Sequence, residues 1–280
     1  MIKDYIKIIR PLNDVMIGFS VIVGSFIASG RQLPNLYSLL FGFLTGFFIS
    51  ASSMVFNDIM DIEIDKINNP NRPLPSGKIK IRNAYTMFYL FSIIGLLFSA
   101  LTGIITFIIA IISYFIAYFY NKFGKKSGFL GNIMVAYSMG VPILYGAAMI
   151  SKLNFNIMVY WLMIFLSGIA REVTKGIADV EGDRKAGIKT IAVIMGEKKA
   201  AIIAFIFYAI AILLSPIPVI LGKVYPLIYS IPIAIVDMVF LSVSIITIIK
   251  PTKQISTKNK NISLLAMFLG LLGFLISTKP

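Results

Sequence analysis

The sequence predicts an all-α protein that crosses a membrane nine times. Three observations carry that prediction. The chain is 58% hydrophobic and only 14% charged, with mean hydropathy +0.89. Apolar runs of about twenty residues, each long enough to span a bilayer, recur along it. These runs show almost none of the polar striping that a helix on the surface of a soluble core needs. The spans are expected at about 14–30, 36–56, 84–101, 103–120, 129–150, 155–175, 199–216, 224–249 and 261–277, with boundaries a few residues soft. The last is short and is followed by a polar tail.

Charge distribution supports the same reading. The net charge of +14 suggests nucleic acid, yet 22 of the 26 Lys and Arg residues fall on one side of the proposed spans, leaving Arg31, Lys152, Lys223 and Lys279 on the other. That alternation is the positive-inside pattern, so no nucleic-acid partner is expected. It places the N-terminus and the long loops 57–83 and 176–198 in the cytoplasm and the C-terminus outside, in a multi-pass protein of the cell membrane. Basic loops at that surface favour membrane lipid and other anionic partners.

Residues 1–13 open the chain as a short interfacial helix, with Lys3, Lys7 and Arg10 on a polar face and Ile2, Ile6 and Ile9 on an apolar one. Pro11 marks the start of the first span. No cleavable leader is expected. Gly42 and Gly46 form a small-xxx-small step in the second span, and Pro142, Pro216, Pro218 and Pro232 are positions where spans kink or break. The long loops follow the second and sixth spans. We therefore expect one transmembrane domain over 1–280, with a four-helix unit used twice, 14–120 and 129–249, plus a ninth helix. Asp58 and Asp179 then hold similar places in the two halves.

The chemistry is concentrated in those loops. The chain has no Cys and no His, which removes thiol nucleophiles, imidazole bases and the usual zinc and haem ligands. A bound metal must be a hard cation on oxygen ligands. In Asn57–Asp65, a helix continued past the bilayer puts Asn57, Asp61 and Asp65 four apart on one face, and Asp58 shares that stripe. Asp179 and Asp183 are again four apart, and Glu181 between them needs either a local break, plausible at Gly182, or an outward position. Stacked like charges repel and, near lipid, demand a counter-cation. Mg²⁺ meets that demand and bridges to phosphate oxygens. A solvated acidic loop is the plain alternative, but it predicts scatter rather than a recurring stripe.

Cations accompany both runs. Arg72 is held between Pro70, Pro73 and Pro75 and is placed to reach a phosphate. Arg171, Lys175, Asp179 and Asp183 follow one another at four-residue spacing. Lys175 is the choice for diphosphate contact, with pairing to Glu172 as the simpler reading; Arg184 and Lys189 are further cations. Tyr118 and Lys122 are four apart, either a site pair or an ordinary basic turn with an aromatic-belt tyrosine. Asn13 is a possible donor to an acceptor molecule beside Asp14. Asp237, deep in the eighth span, either caps a polar contact or faces a cavity.

Asn57-Asp58-x-x-Asp61-x-x-x-Asp65 resembles the first aspartate motif of the UbiA superfamily of intramembrane prenyltransferases, and Asp179-x-Glu181-x-Asp183 its second. Arg10-Pro11, Arg72-Pro73 and Tyr118 with Lys122 match smaller features, and the likeness covers nearly the whole chain. It implies nine helices around a central cavity and Mg²⁺-dependent transfer of a prenyl group from an isoprenyl diphosphate to a lipophilic acceptor. It also implies that Asn57, Asp58, Asp61, Asp65, Asp179 and Asp183 bind the metal–diphosphate cluster. Arg10-Pro11-x-Asn13 and the phrase Asn69–Gly77 are similar to the branch that joins geranylgeranyl diphosphate to the free glycerol hydroxyl of geranylgeranylglyceryl phosphate in archaeal ether-lipid synthesis. Aromatic, chlorin and haem acceptors are used by relatives with the same motifs. A lipid or ion transporter is the alternative of another class, since internal helical repeats occur there too.

Overall fold

The computed structural model describes residues 2–30 and 32–279. Arg31, counted above among the outer cations, lies outside the described residues with Met1 and Pro280, as do the side chains of Ile2, Ile64, Ile67 and Asn68. Nine helices among the described residues are long and apolar enough to cross a membrane. In chain order the elements are α1 (Ile2–Ile9), α2 (Pro11–Ser29), α3 (Leu36–Met60), α4 (Ile62–Asn68), α5 (Ile81–Thr102), α6 (Ile104–Lys122), α7 (Phe129–Met149), α8 (Phe155–Ala178), α9 (Val180–Lys185), α10 (Ile191–Met195), α11 (Glu197–Leu214), α12 (Ile217–Ile220), α13 (Pro226–Ile249) and α14 (Lys253–Ser277).

Local chemistry explains many of the ends. Asn35 and Asn154 accept the backbone N–H of Tyr37 and Ile157 at 2.8 and 3.0 Å and so cap α3 and α8. Pro11 opens α2, as expected. Pro216 and Pro218 break the seventh span into α11 and α12. Asp237 serves that break: Ser215 Oγ donates to its carboxylate at 2.7 Å, and Tyr229 Oη donates to the Ser215 carbonyl at 2.7 Å. The ninth helix is longer than its apolar run implies. It begins at Lys253, capped by Thr252, because KQISTKNKN has no helix breaker.

The chain divides into two compact units. The first comprises Met1–Phe26, Leu33–Lys122 and Pro142–Lys152. Its helices approach closely at glycines: a Cβ on Gly46 would stand 3.1 Å from the Gly18 backbone, and one on Gly42 would collide with the Met149 sulfur, so the small-residue step is a packing surface. A second cluster buries Ile8, Val55, Phe56 and Ile59 with Leu74 and Ile79 of the proline loop. The loop is therefore part of the core.

The second unit comprises Ile27–Gln32, Phe123–Val141 and Leu153–Pro280. Its core packs Ala170, Val173 and Ile177 of α8 against Ala200, Ala204 and Tyr208 of α11 and Phe240 of α13. α8 is the most enclosed of the nine spans. Gly128 has φ +62°, and a Cβ there would run into the Lys189 carbonyl. Only glycine fits at that point.

Candidate active site

In the first unit, α3 ends at Met60 and α4 begins at Ile62, with Asp61 between them at φ −95°, ψ 4°. This is the sparsely populated bridge region. The hydrogen-bond ladder nevertheless continues, from Asp61 N to Asn57 O and from Asp65 N to Asp61 O. The four-residue spacing of Asn57, Asp61 and Asp65 thus survives as real geometry, with a bend at its middle member.

The carboxylates do not stand as an open metal stripe. Asp58 is 3% exposed, and its Oδ1 accepts Arg10 Nη2 at 2.6 Å and Arg72 Nη1 at 3.5 Å. Asp65 accepts Arg72 Nη1 at 2.5 Å on one oxygen and Asn69 Nδ2 at 3.0 Å on the other. Among the described residues, no three acidic side chains gather closely enough to hold one ion. Without a cation in the structure, the first acidic run is held as an arginine–aspartate ladder. The physical reason is the one that motivated the metal: buried, stacked carboxylates need counter-charge, and Arg10 and Arg72 supply it.

Both arginines are aimed by the backbone. Arg10 joins α1 to α2 at φ +53°, a left-handed conformation costly for a residue with a Cβ, and its Nη1 also reaches the Met54 sulfur at 3.5 Å. Arg72 sits in a loop folded back on itself by Ile79 N to Pro73 O and Ser76 N to Arg72 O, with Leu74 and Ile79 as anchors. Asn57 donates to Asn121 Oδ1 at 2.9 Å, so the amide that sequence spacing placed beside the aspartates is fixed by α6. Tyr118 stacks on Phe56 at 4.9 Å between ring centres. The Lys122 ammonium lies 3.4 Å from Tyr118 Oη and 5.6 Å from its ring centre. Tyr118 and Lys122 therefore touch, with Lys122 itself exposed. Asn13 is exposed. Its neighbour Asp14 is fully buried and accepts Ser50 Oγ at 2.6 Å.

The second unit repeats the backbone device. α8 ends at Ala178, Asp179 has φ −103°, ψ 5°, and α9 resumes at Val180. Asp179 N bonds to Lys175 O and Asp183 N to Asp179 O. The break expected near Gly182 falls instead at Asp179; Gly182 is inside α9, with open space around its Cα. By backbone conformation the counterpart of Asp179 is Asp61, not the expected Asp58.

Glu172 takes up the pairing that was the simpler reading of Lys175, and pairs with Arg171 as well. It is buried and accepts Arg171 Nη1 at 2.6 Å and Lys175 Nζ at 3.2 Å. Its place three before Lys175 on the same helix was the available signal. Lys175 keeps 42% of its side chain exposed and so presents charge outward. Asp183 is half-buried, and Asp179, Arg184 and Lys189 are exposed. Burial, then the like charge of Asp179, push the Asp183 carboxyl above its ordinary value, while Lys175 and a hydrogen bond from Thr190 oppose the rise.

Fold and charged junctions together define an integral membrane transferase of the prenyltransferase class. The chain belongs to the UbiA prenyltransferase family, whose pattern matches residues 17–272. It is 37% identical over 281 residues to the digeranylgeranylglyceryl phosphate synthase of Archaeoglobus fulgidus, covering 98% of this chain and 96% of that one. A solved structure concerned with digeranylgeranylglyceryl phosphate synthase in membranes superposes with TM-score 0.91 at 34% identity, over 98% of this chain and 97% of the other. A UbiA homologue from Archaeoglobus fulgidus, bound to GPP and Mg²⁺, shares the fold with TM-score 0.71 at 20% identity, over 97% and 99% of the two chains.

Proposed function

We propose that this chain is a digeranylgeranylglyceryl phosphate synthase. It transfers a geranylgeranyl group from geranylgeranyl diphosphate to the free glycerol hydroxyl of geranylgeranylglyceryl phosphate. The observation that carries the reading is identity of 37% over nearly the full length of a synthase of that name. Both acidic junctions lie inside the matched region. Membership of a prenyltransferase family sets the transporter alternative aside.

The donor set is carboxylate and amide oxygen throughout, which suits Mg²⁺. Asn57, Asp58, Asp61 and Asp65 would hold it at the first junction and Asp179 and Asp183 at the second, with the Arg10 and Arg72 contacts as those a cation would exchange with at the first. Bound there, Mg²⁺ supplies positive charge to the diphosphate oxygens. The chain supplies the rest. Lys175, anchored by Glu172, and Arg72 offer cations to the departing diphosphate. Tyr118 and Lys122 extend the polar rim. The bond between the first prenyl carbon and the diphosphate oxygen breaks, the acceptor hydroxyl oxygen bonds to that carbon, and the hydroxyl proton is released. Apolar span residues keep water from the allylic cation. Arg184 and Lys189, exposed and cationic, are the first candidates for the acceptor's phosphate, with Arg10 and Arg72 as further cations. Asn13, exposed at the start of the first span, is placed to donate to the acceptor.

The four-helix units at 14–120 and 129–249 remain our reading of the domain plan. The charge pattern supports an orientation with the N-terminus and both acidic loops cytoplasmic and the C-terminus outside.

The test incubates purified full-length protein with radiolabelled geranylgeranyl diphosphate and either geranylgeranylglyceryl phosphate or an aromatic acceptor, with and without Mg²⁺. Label should enter the glyceryl phosphate product only when Mg²⁺ is present. Transfer to the aromatic acceptor alone, or undiminished transfer after chelation, would refute the proposal.

A further inference from the structure

Antiparallel α13 and α14, both in the second unit and joined by a three-residue turn, enclose a groove of about 680 Å³. That volume lies within the roughly 300–1,000 Å³ range of ligand pockets. Its walls are graded in polarity. Ile235, Met238 and Ile246 of α13 and Ile262 of α14 form the apolar length, while Gln254 and Lys258 stand at the end next to the turn. From Ile235 to Ile246 is roughly 16 Å at 1.5 Å per helical residue, about half the ~30 Å hydrocarbon thickness of a bilayer. The groove therefore has the length of one leaflet, with its charge at one end.

The groove is built rather than left over. Beneath it Asn259 Nδ2 donates to Val243 O at 3.0 Å and to Thr247 Oγ1 at 2.8 Å, tying the helices together. The far end of α14 is pinned by Tyr225 N to Ser277 O and Lys279 N to Lys223 O. α14 packs through Ser256, Asn259, Ser263, Ala266 and Gly270, a different face from that bearing Gln254, Lys258 and Ile262. Asn259 and Val243 of that pairing also line the groove, so the helix contact forms its floor.

The charge around the mouth is one-signed. Lys250, Lys253, Lys258 and Lys260 cluster at the turn, and no Asp or Glu occurs from Met238 to the C-terminus. Lys250 suits the C-terminal end of α13, whereas Lys253 at the start of α14 opposes that helix's dipole. These lysines belong to the positive-inside side of the chain, and an apolar trough one leaflet long that ends among them fits a membrane-resident lipid with an anionic phosphate headgroup. We infer that α13 and α14 form a binding site for an anionic phospholipid, one hydrocarbon chain lying along Ile235–Ile246 and the phosphate meeting Lys258. None of its residues belongs to the two acidic junctions, so the inference stands apart from the proposed transfer reaction.

Native mass spectrometry of the full-length protein from mixed micelles with equimolar phosphatidylglycerol and phosphatidylcholine tests it. The wild type should retain phosphatidylglycerol in preference. Lys258→Glu should lower that retention by about fivefold or more, the weight of one lysine at a lipid surface. Ser242→Trp, which fills the exposed middle of the groove, should lower retention of both lipids. Soluble glycerol phosphate should not displace the lipid, because it lacks the chain. Equal retention of the two lipids, unchanged retention in either variant, displacement by glycerol phosphate, or a change in subunit number on Ser242→Trp, which would assign the groove to a second copy of the chain, would each overturn the inference.

Discussion

At Asp61 and at Asp179 a spanning helix stops for one residue and resumes, with φ −95°, ψ 4° at the first and φ −103°, ψ 5° at the second. The backbones match; the counter-charges do not. In the first junction the acids are buried, and arginines distant in sequence, Arg10 and Arg72, reach Asp58 and Asp65 directly. In the second the nearby cations, Arg171 and Lys175, turn to Glu172 on their own helix. Asp179 is left exposed and Asp183 half-buried. Spacing therefore sets the shape of an acidic junction, while the source of positive charge decides which carboxylates stay open to an added cation. By that measure the second junction is the more open.

The comparison breaks most sharply at the matching residues. Asp61→Asn and Asp179→Asn should each lower prenyl transfer by about a thousandfold, the scale of losing one charged group from a transition-state clamp, with unfolding temperatures little changed. A large loss at one and none at the other, measured by product formation and calorimetry, would mean that the shared backbone is not shared function.

A smaller effect sharpens the contrast in counter-charge. Arg10→Ala removes the nearest partner of a buried carboxylate, and urea unfolding should show a loss of about 2 kcal/mol. Glu172→Gln instead leaves two cations with a neutral partner and weakens their positioning. Its signature is a raised KM for the diphosphate donor, by about fivefold for a contact of ~1 kcal/mol, at nearly constant kcat. A fall in kcat with KM unchanged would place Glu172 in the reacting set rather than behind it.

The smallest effect is on pH dependence. Because burial and Asp179 hold the Asp183 carboxyl above its ordinary 3.8, the folded state binds that proton more tightly than the unfolded chain. Stability is therefore lost as pH rises from the unfolded value through the raised folded one, and the loss persists at neutral pH. Asp183→Asn should flatten that slope: unfolding temperatures between about pH 4 and about pH 7 should differ less than in the wild type. An identical slope in both proteins would assign the pH dependence to other groups.

Much of this was legible before any coordinates. Apolar run length found all nine spans, because a bilayer imposes a minimum length on any helix that crosses it. Pro11 located the start of the first span, and four-residue spacing located the acidic stripes. The misses have physical causes. α14 was shortened because its first turns are polar, and hydropathy reports lipid exposure rather than helicity. Flexibility makes a break at Gly182 plausible, yet the helix breaks at Asp179, one residue beyond the span, and Glu181 takes the outward position that was the other expectation. The i,i+3 spacing predicts the Glu172–Lys175 pair that forms, but spacing says nothing about the burial of Glu172.

By itself the sequence determined the class of protein, its spans and the positions of its carboxylates, because these follow from periodicity and from the cost of placing polar groups in lipid. Only the tertiary structure decided the partners. Arg10 lies 48 residues from Asp58 along the chain, and no local rule selects it over the other basic residues. The choice depends on where a left-handed turn at Arg10 and a buried proline loop bring two guanidinium groups, a long-range outcome of packing that residue spacing does not encode.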